Sequence, residues 1–329
     1  MKCINRRFVR VCSLLLVCSL CTISGTGCGE NRLEDAFEAD LPGIGIQTSE
    51  ESSKIPYFAS DLCVTDTDVQ DIEADTEDAL AACFFNLNEK KVLYAKNIHE
   101  RMYPASTTKI MTALVALDKG DLDAQTTVSK EAITFSESGV STAKLKEGDV
   151  LTLRQLLYAL LTVSANDAAN VIAEQIAGSQ DAFVEMMNQE AQKIGATNTH
   201  FVNANGLHSE DHYTTVYDLY LMFNAAMQHE EFLQMLQEKE YQASYQAADG
   251  TTVEAVWSTT NQFTKGDVTV PDGVTAVGGK TGTTTAAMSC LVQLFEDAQG
   301  EQYVAIILGC KERGILYQEM QTFLSNLNN

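Results

Sequence analysis

Three short runs in this 329-residue sequence combine residue types suited to acyl chemistry: Ser106-Thr107-Thr108-Lys109, Ser164-Ala165-Asn166 and Lys280-Thr281-Gly282. A serine hydroxyl attacks a carbonyl only when a nearby base takes its proton, and a lysine amine is such a base once burial or a neighbouring cation keeps it neutral. Pro104-Ala105 precedes Ser106 and the apolar run 110–115 follows it. The spacing therefore predicts a helix over Ser106–Leu117, with Ser106 at its N-terminus and Lys109 one turn along on the same face. The helix dipole favours negative charge at that end. Lys280 is the candidate cation beside Lys109, Ser164 is placed to relay a proton, and Asn166 is suited to hold a substrate amide. Lys280-Thr281-Gly282 follows the apolar strand Thr275–Val277 and the pair Gly278-Gly279, where absent side chains let a substrate backbone approach the strand edge.

Each run also has a plainer reading. Ser-x-x-Lys arises roughly once by chance in a chain this long, and Ser141-Thr142-Ala143-Lys144 is a second match. That copy lies among Gly139, Lys146 and Gly148 with no apolar helix after it, and reads as a surface loop. Ser106 alone would be a helix N-cap beside a solvated lysine, and Ser164 or Asn166 would cap a helix over Asp167–Ile176. The stretch Gly273–Thr281 nearly matches a phosphate-binding loop, but five residues separate Gly273 from Gly279, and a strand rather than a helix follows. His208-Ser209-Glu210-Asp211-His212 has ligand-like spacing without a glutamate directly after the first histidine, so it reads as a polar turn.

The elements that must position these groups alternate in type. Residues 82–87 and 91–95 read as a β-hairpin turning at Asn88-Glu89-Lys90. Helical spacing follows at Leu153–Thr162, Asp167–Ile176, Asp181–Ile194 and Val216–Gln228. Strands return at about Gln242–Gln246, Val253–Val256, Ala276–Lys280, Met288–Phe295 and Tyr303–Leu308, before a last helix near Ile315–Leu327. This order predicts an α+β domain over 79–329, its antiparallel sheet built from both chain ends and flanked by helices, with a helical subdomain.

Composition narrows the class. A net charge of −23, from 22 Lys+Arg against 45 Asp+Glu, argues against nucleic acid as a partner. Residues 1–28 carry Lys2, Arg6, Arg7 and Arg10 and no acid, and the apolar run Val11–Ile23 ends before Ser24-Gly25-Thr26-Gly27-Cys28. That is the layout of an export signal, and the run is short for a spanning helix. Cys28 resembles a lipoprotein cleavage cysteine, although Gly25 stands where leucine is preferred. Lipidation, simple cleavage and an uncleaved anchor all remain, and each implies export. Residues 29–78, with 15 acids and only Arg32 and Lys54, read as a self-repelling acidic tether whose apolar part, Ile55–Val69, is suited to dock on the domain. Five of nine cysteines lie in the first 28 residues, leaving Cys63, Cys83, Cys290 and Cys310, too few for a disulfide scaffold. Cys83, Cys290 and Cys310 read as buried free thiols on strands.

In this order the three runs resemble the active-site set of penicillin-recognising serine enzymes. With residues 92–97, 104–114 and 156–169, Thr199-His200-Phe201-Val202-Asn203, Gly206-Leu207 and Val277–Gly282, the chain from 79 onward resembles the low-molecular-weight D-alanyl-D-alanine carboxypeptidases. Ala165 departs from the family's usual glycine, and the β-rich second domain and C-terminal anchor of many members do not follow, so the resemblance leaves membrane attachment to the N-terminus. It implies a β-lactamase/transpeptidase-like fold and hydrolysis of peptidoglycan stem peptides ending in D-Ala-D-Ala. Ser106 would be the nucleophile, Lys109 the base and Ser164 the proton donor to the leaving amine. Asn166, Lys280, Thr281, Gly282 and Thr283 would bind substrate, with the N–H groups of Ser106 and Thr283 as oxyanion hole. It further implies inhibition by β-lactams and no metal or cofactor. A serine β-lactamase using Glu185 for deacylation, and a non-catalytic wall-binding homologue, are the alternatives.

Overall fold

The structure, a computed structural model, describes residues 59–327. The expected export signal, Cys28 and most of the acidic tether lie outside the described residues.

Six strands form one antiparallel sheet in the order β1-β3-β2-β10-β9-β8. Three come from the start of the described chain, β1 (Val69–Gln70), β2 (Ala81–Asn86) and β3 (Lys91–Lys96). The others come from its end, β8 (Thr275–Thr284), β9 (Met288–Glu296) and β10 (Gln302–Cys310). The β2–β10 pairing joins the two chain ends, as the sequence predicts. Side chains on a strand alternate between faces, and here both faces are covered. Cys83, Phe85, Val292, Leu294, Val304 and Ile306 enter one core, whereas Ala82, Phe84, Leu291, Ala305 and Ile307 enter a second. A strand buried on both sides has no polar alternation, hence the near-continuous apolar runs in the sequence.

The second core is closed by the last helix, whose Phe323 stacks on Phe84 at 5.2 Å, a pairing worth about 1 kcal/mol beyond its buried area. The first core is a helical layer built around α1 (Lys109–Lys119), in which every residue from Lys109 to Ala116 is buried. A helix that is buried all round lies at the centre of its layer. About it lie α2 (Leu153–Leu161), α3 (Asn166–Ala177), α4 (Gln180–Lys193) and α5 (Val216–Ala226). Caps mark their starts: Thr152 and Gln155 form a reciprocal capping box on α2, while Ser179 and Thr215 cap α4 and α5.

Several elements depart from the sequence reading. The expected strands at 242–246 and 253–256 exist, as β6 (Glu240–Gln246) and β7 (Thr252–Ser258), but they belong to a separate four-stranded sheet with β4 (Gln125–Thr127) and β5 (Val150–Thr152). The sequence reading also omits α6 (Glu230–Gln237). A short α7 (Gln262–Lys265) precedes β8, and the closing helix α8 is Arg313–Leu324.

The packed chain also begins before Ala79. Cys63 is fully buried, its N–H donating to Tyr220 Oη at 2.9 Å, and Tyr217 Oη donates to the Cys63 carbonyl at 3.1 Å. The Asp68 carboxylate accepts the N–H groups of Asn97 and Ile98, and β1 pairs with β3 at the sheet edge. The acidic character of this stretch does not expel it, because its apolar and backbone groups find partners on the domain. Cys63, Cys83, Cys290 and Cys310 are all buried free thiols.

Candidate active site

Ser106 lies on a 3-10 turn, Ala105–Thr108, that runs directly into α1 at Lys109, rather than on the first turn of an α-helix. With three residues per turn, such a segment eclipses positions i and i+3. Lys109 Nζ accordingly stands 3.0 Å from Ser106 Oγ. The N-cap of this turn is Pro104, which offers no side-chain cap. The turn is strained at its start: Ala105 has φ +48°, a left-handed conformation that costs an L-residue roughly 1–2 kcal/mol. Gly206 lies against it so closely that a Cβ there would sit 2.0 Å from the Ala105 carbonyl oxygen.

Lys109 is 0% exposed. Its amine touches Ser106 Oγ, Asn166 Oδ1 at 2.6 Å and the Asn205 carbonyl oxygen at 2.5 Å. Burial, followed by the positive charge of Lys280, pushes its pKa well below the usual lysine value, against a smaller opposing pull from Asp167. A neutral amine has two N–H donors and one lone pair. Asn166 Oδ1 and the Asn205 carbonyl only accept hydrogen bonds, so they take both donors and leave the lone pair facing the Ser106 hydroxyl. Asn205 is held in turn by its amide donating to Asn170 Oδ1 at 3.0 Å.

Ser164 and Asn166 come from the junction of α2 and α3. The N-cap of α3 is Ala165, which has no side-chain cap, so neither polar neighbour is used as a cap. Ser164 adopts φ +59°, and the Asn166 N–H donates to the Ser141 carbonyl at 2.8 Å. The loop 139–145, which the sequence reads only as surface, borders the site in this way. Its Ser141 and Lys144 are exposed, but the N–H groups of Ala143 and Leu145 donate to the buried Asp167 carboxylate at 2.9 and 3.1 Å. Burial raises the Asp167 pKa, with those amides opposing the shift.

On the opposite side runs β8, the edge strand of the large sheet. Lys280, also 0% exposed, donates to Ser164 Oγ and to the Thr281 carbonyl, both at 2.9 Å. Burial, then the charge of Arg313, brings the Lys280 pKa down to about 7. Thr281 Oγ1 lies 2.5 Å from Thr260 Oγ1. Gly282 admits the nucleophile's turn: a Cβ there would come within 2.9 Å of the Pro104 oxygen and 3.1 Å of Ser106 N. Arg313, outside the three runs, donates to Thr283 Oγ1 at 3.3 Å from the first turn of α8. A chain of net charge −23 thus places Lys280 and Arg313 near one serine, which focuses positive potential where an anionic group would bind.

The three runs therefore meet. Ser106–Lys109 and Lys280–Ser164 form two hydrogen-bonded pairs, bridged by Asn166 to Lys109. Asp167, Asn170, Asn205 and Thr260 are further polar residues of the site that the sequence reading passes over, and His212, which it reads as part of a polar turn, is another. Each lies outside the motifs or serves only through its backbone, so residue type and spacing carry little signal for it. The histidine pair does not converge as a ligand set. His208 packs edge-on against Tyr103 with ring centroids 4.7 Å apart, while His212 is 2% exposed and bonded to Thr108. Residues 273–281 lead into β8 and then β9, so the near-match to a phosphate loop is a strand. Glu185 is exposed on α4.

Comparison with known proteins agrees with this geometry. The sequence profile of the D-alanyl-D-alanine carboxypeptidase family matches residues 68–312. D-alanyl-D-alanine carboxypeptidase DacF of Bacillus subtilis is 38% identical over 156 residues, 46% of this chain and 40% of that protein. D-alanyl-D-alanine carboxypeptidase DacC of Escherichia coli is 31% identical over 267 residues, 78% of this chain and 62% of that protein. The chain thus spans less than two thirds of the length of either relative. The crystal structure of the Streptomyces K15 DD-transpeptidase superposes with a TM-score of 0.71 at 28% identity, covering 77% of this chain and 98% of that one.

Proposed function

The chain belongs to the D-alanyl-D-alanine carboxypeptidase family, and from that membership and the site geometry we propose that it is a serine hydrolase that removes the terminal D-alanine from peptidoglycan stem peptides. One observation carries the reading: a fully buried Lys109, its two donors engaged by Asn166 and Asn205, lies 3.0 Å from Ser106 Oγ with its lone pair left for the serine proton.

In this mechanism Lys109 takes the proton of Ser106 as Oγ attacks the carbonyl between the last two D-alanines. The N–H groups of Ser106 and Thr283 stabilise the tetrahedral oxyanion. Ser164, hydrogen-bonded to Lys280, relays the proton held by Lys109 to the leaving amine, so D-alanine departs from an acyl-enzyme on Ser106 and Lys109 is neutral again for the next step. Lys280 and Thr281 bind the substrate's terminal carboxylate, Asn166 holds a substrate amide, and Gly282, without a side chain, lets β8 lie against the nucleophile's turn where the substrate backbone binds. Arg313 adds its charge beside Thr283. Water attacks the acyl-enzyme to complete hydrolysis. β-Lactams acylate the same serine, and the exposed position of Glu185 on α4 favours slow release of bound penicillin over β-lactamase turnover. The basic and apolar N-terminal sequence supports action outside the cytoplasm, on the wall side of a bacterial membrane.

The test is release of D-alanine from a synthetic stem pentapeptide by wild type and Ser106→Ala. The reading requires release by the first and none by the second. Equal release by both would remove Ser106 from the chemistry. The K15 structure is that of a DD-transpeptidase, which favours a second fate for the same acyl-enzyme, transfer to an amine. Adding glycine to the assay and weighing the products distinguishes transfer from hydrolysis.

A further inference from the structure

Behind the nucleophile's turn lies a hydrogen-bonded chain with one consistent direction. The N–H of Val202 donates to His212 Nδ1 at 3.2 Å, so that nitrogen carries no proton and the neutral ring has its hydrogen on Nε2. Nε2 lies 2.8 Å from Thr108 Oγ1, and the Thr108 hydroxyl in turn lies 2.8 Å from the carbonyl oxygen of Ala105. His212 is 2% exposed and Thr108 0%. The last acceptor in this chain belongs to the left-handed residue directly before Ser106. The segment that carries His212 also supplies Gly206, packed on the same Ala105 carbonyl, and the Asn205 carbonyl that holds Lys109. One stretch, Val202–His212, therefore braces both the serine's turn and the lysine. Burial, with His200, Lys109 and His208 adding to it, brings the His212 pKa down to about 3, so the ring stays neutral across the working pH range.

We propose that His212 is a positioning residue for acylation: through Thr108 it locks the Ala105 carbonyl and so holds the strained turn that points Ser106 Oγ at Lys109. It touches neither substrate nor the reacting atoms. The left-handed Ala105 is unfavourable by itself and needs surrounding contacts that over-determine it. Without His212 the Thr108 hydroxyl keeps its bond to the Ala105 carbonyl but loses the buried partner that fixes its orientation. The inference rests on the serine hydrolase reading above.

The experiment measures the second-order rate of Ser106 acylation by a fluorescent penicillin, together with kcat and KM for peptide hydrolysis, in the full chain. His212→Phe keeps the ring volume and removes the donor. It should slow acylation about 10- to 100-fold, the scale set by small misplacements of reacting groups, and lower kcat with KM nearly unchanged. His212→Gln, whose amide reaches towards Thr108, should recover most of the rate. Thr108→Val should slow acylation like His212→Phe while Thr108→Ser does not, and the double variant His212→Phe/Thr108→Val should be no slower than the slower single one. If His212→Phe does not fold, the Thr108 pair carries the same test. Wild-type acylation rates in His212→Phe or Thr108→Val, equal losses in His212→Phe and His212→Gln, or a loss confined to KM would each overturn the role. A wild-type protein left unlabelled would overturn the hydrolase reading and this inference with it.

Discussion

Replacing Lys280 with methionine tests the electrostatics of the site through folding stability. The amine is fully buried and its pKa is about 7 rather than the ordinary 10.5. Below pH 7 the folded and unfolded chains both hold the proton, so its burial penalty does not vary with pH. Between pH 7 and 10.5 the unfolded chain keeps a proton that the folded chain has released, so the wild-type stability contribution rises with pH. The slope is about 1.4 kcal/mol per pH unit, or roughly 3 kcal/mol across two pH units of that window. Lys280→Met has no proton to release and lacks this rise. Loss of the bonds to Ser164 and the Thr281 carbonyl adds a cost of roughly 1–3 kcal/mol for each group left unsatisfied, but that cost does not change with pH. Removing the Lys280 charge also lets Lys109 hold its proton to higher pH, which changes the difference in the same direction. Urea unfolding of both proteins in steps across the window measures that difference directly. Parallel stability curves would show that Lys280 stays charged in the folded state and would refute the argument.

Three further outcomes follow from the geometry. Gly206→Ala places a Cβ 2.0 Å from the Ala105 oxygen at φ +84°, and is expected to cost about 2–4 kcal/mol in thermal or urea unfolding and to slow acylation. Asp167→Asn removes the anion that raises the Lys109 pKa, so the acid limb of the acylation rate, which rises as Lys109 loses its proton, should move to lower pH. Arg313→Gln removes a cation that lowers the Lys280 pKa, so the alkaline limb of kcat/KM, which falls as Lys280 loses its charge, should move to higher pH.

The site was legible in the sequence where chemistry and local context coincide. Ser106 and Lys109 stood out because an apolar helix follows them, and Lys280 because glycines flank it beside an apolar run, although β8 continues through it to Thr284. The sheet was legible through β2, β9 and β10, whose burial on both faces demands unbroken apolar runs. What remained hidden depends on contacts distant in sequence. Asn205 holds Lys109 by its backbone carbonyl, which side-chain type does not encode. Asp167 reads as an ordinary acid in the first turn of a helix until the amides of Ala143 and Leu145 close on it. His212 reads as part of a polar turn because its burial comes from the packing of Val202–His212 behind the nucleophile. Strands β4 and β5 have three residues each, too few for alternation to register, so the partners of the β6–β7 hairpin were hidden with them.

The central claim is that Ser106 is the nucleophile, activated by a neutral Lys109. It is tested most directly by incubating the protein with penicillin, digesting it and mapping the adduct by mass spectrometry. The account requires one covalent adduct, on the peptide containing Ser106, lost in Ser106→Ala and strongly slowed in Lys109→Met. An adduct on any other residue, or none on folded protein, would contradict it.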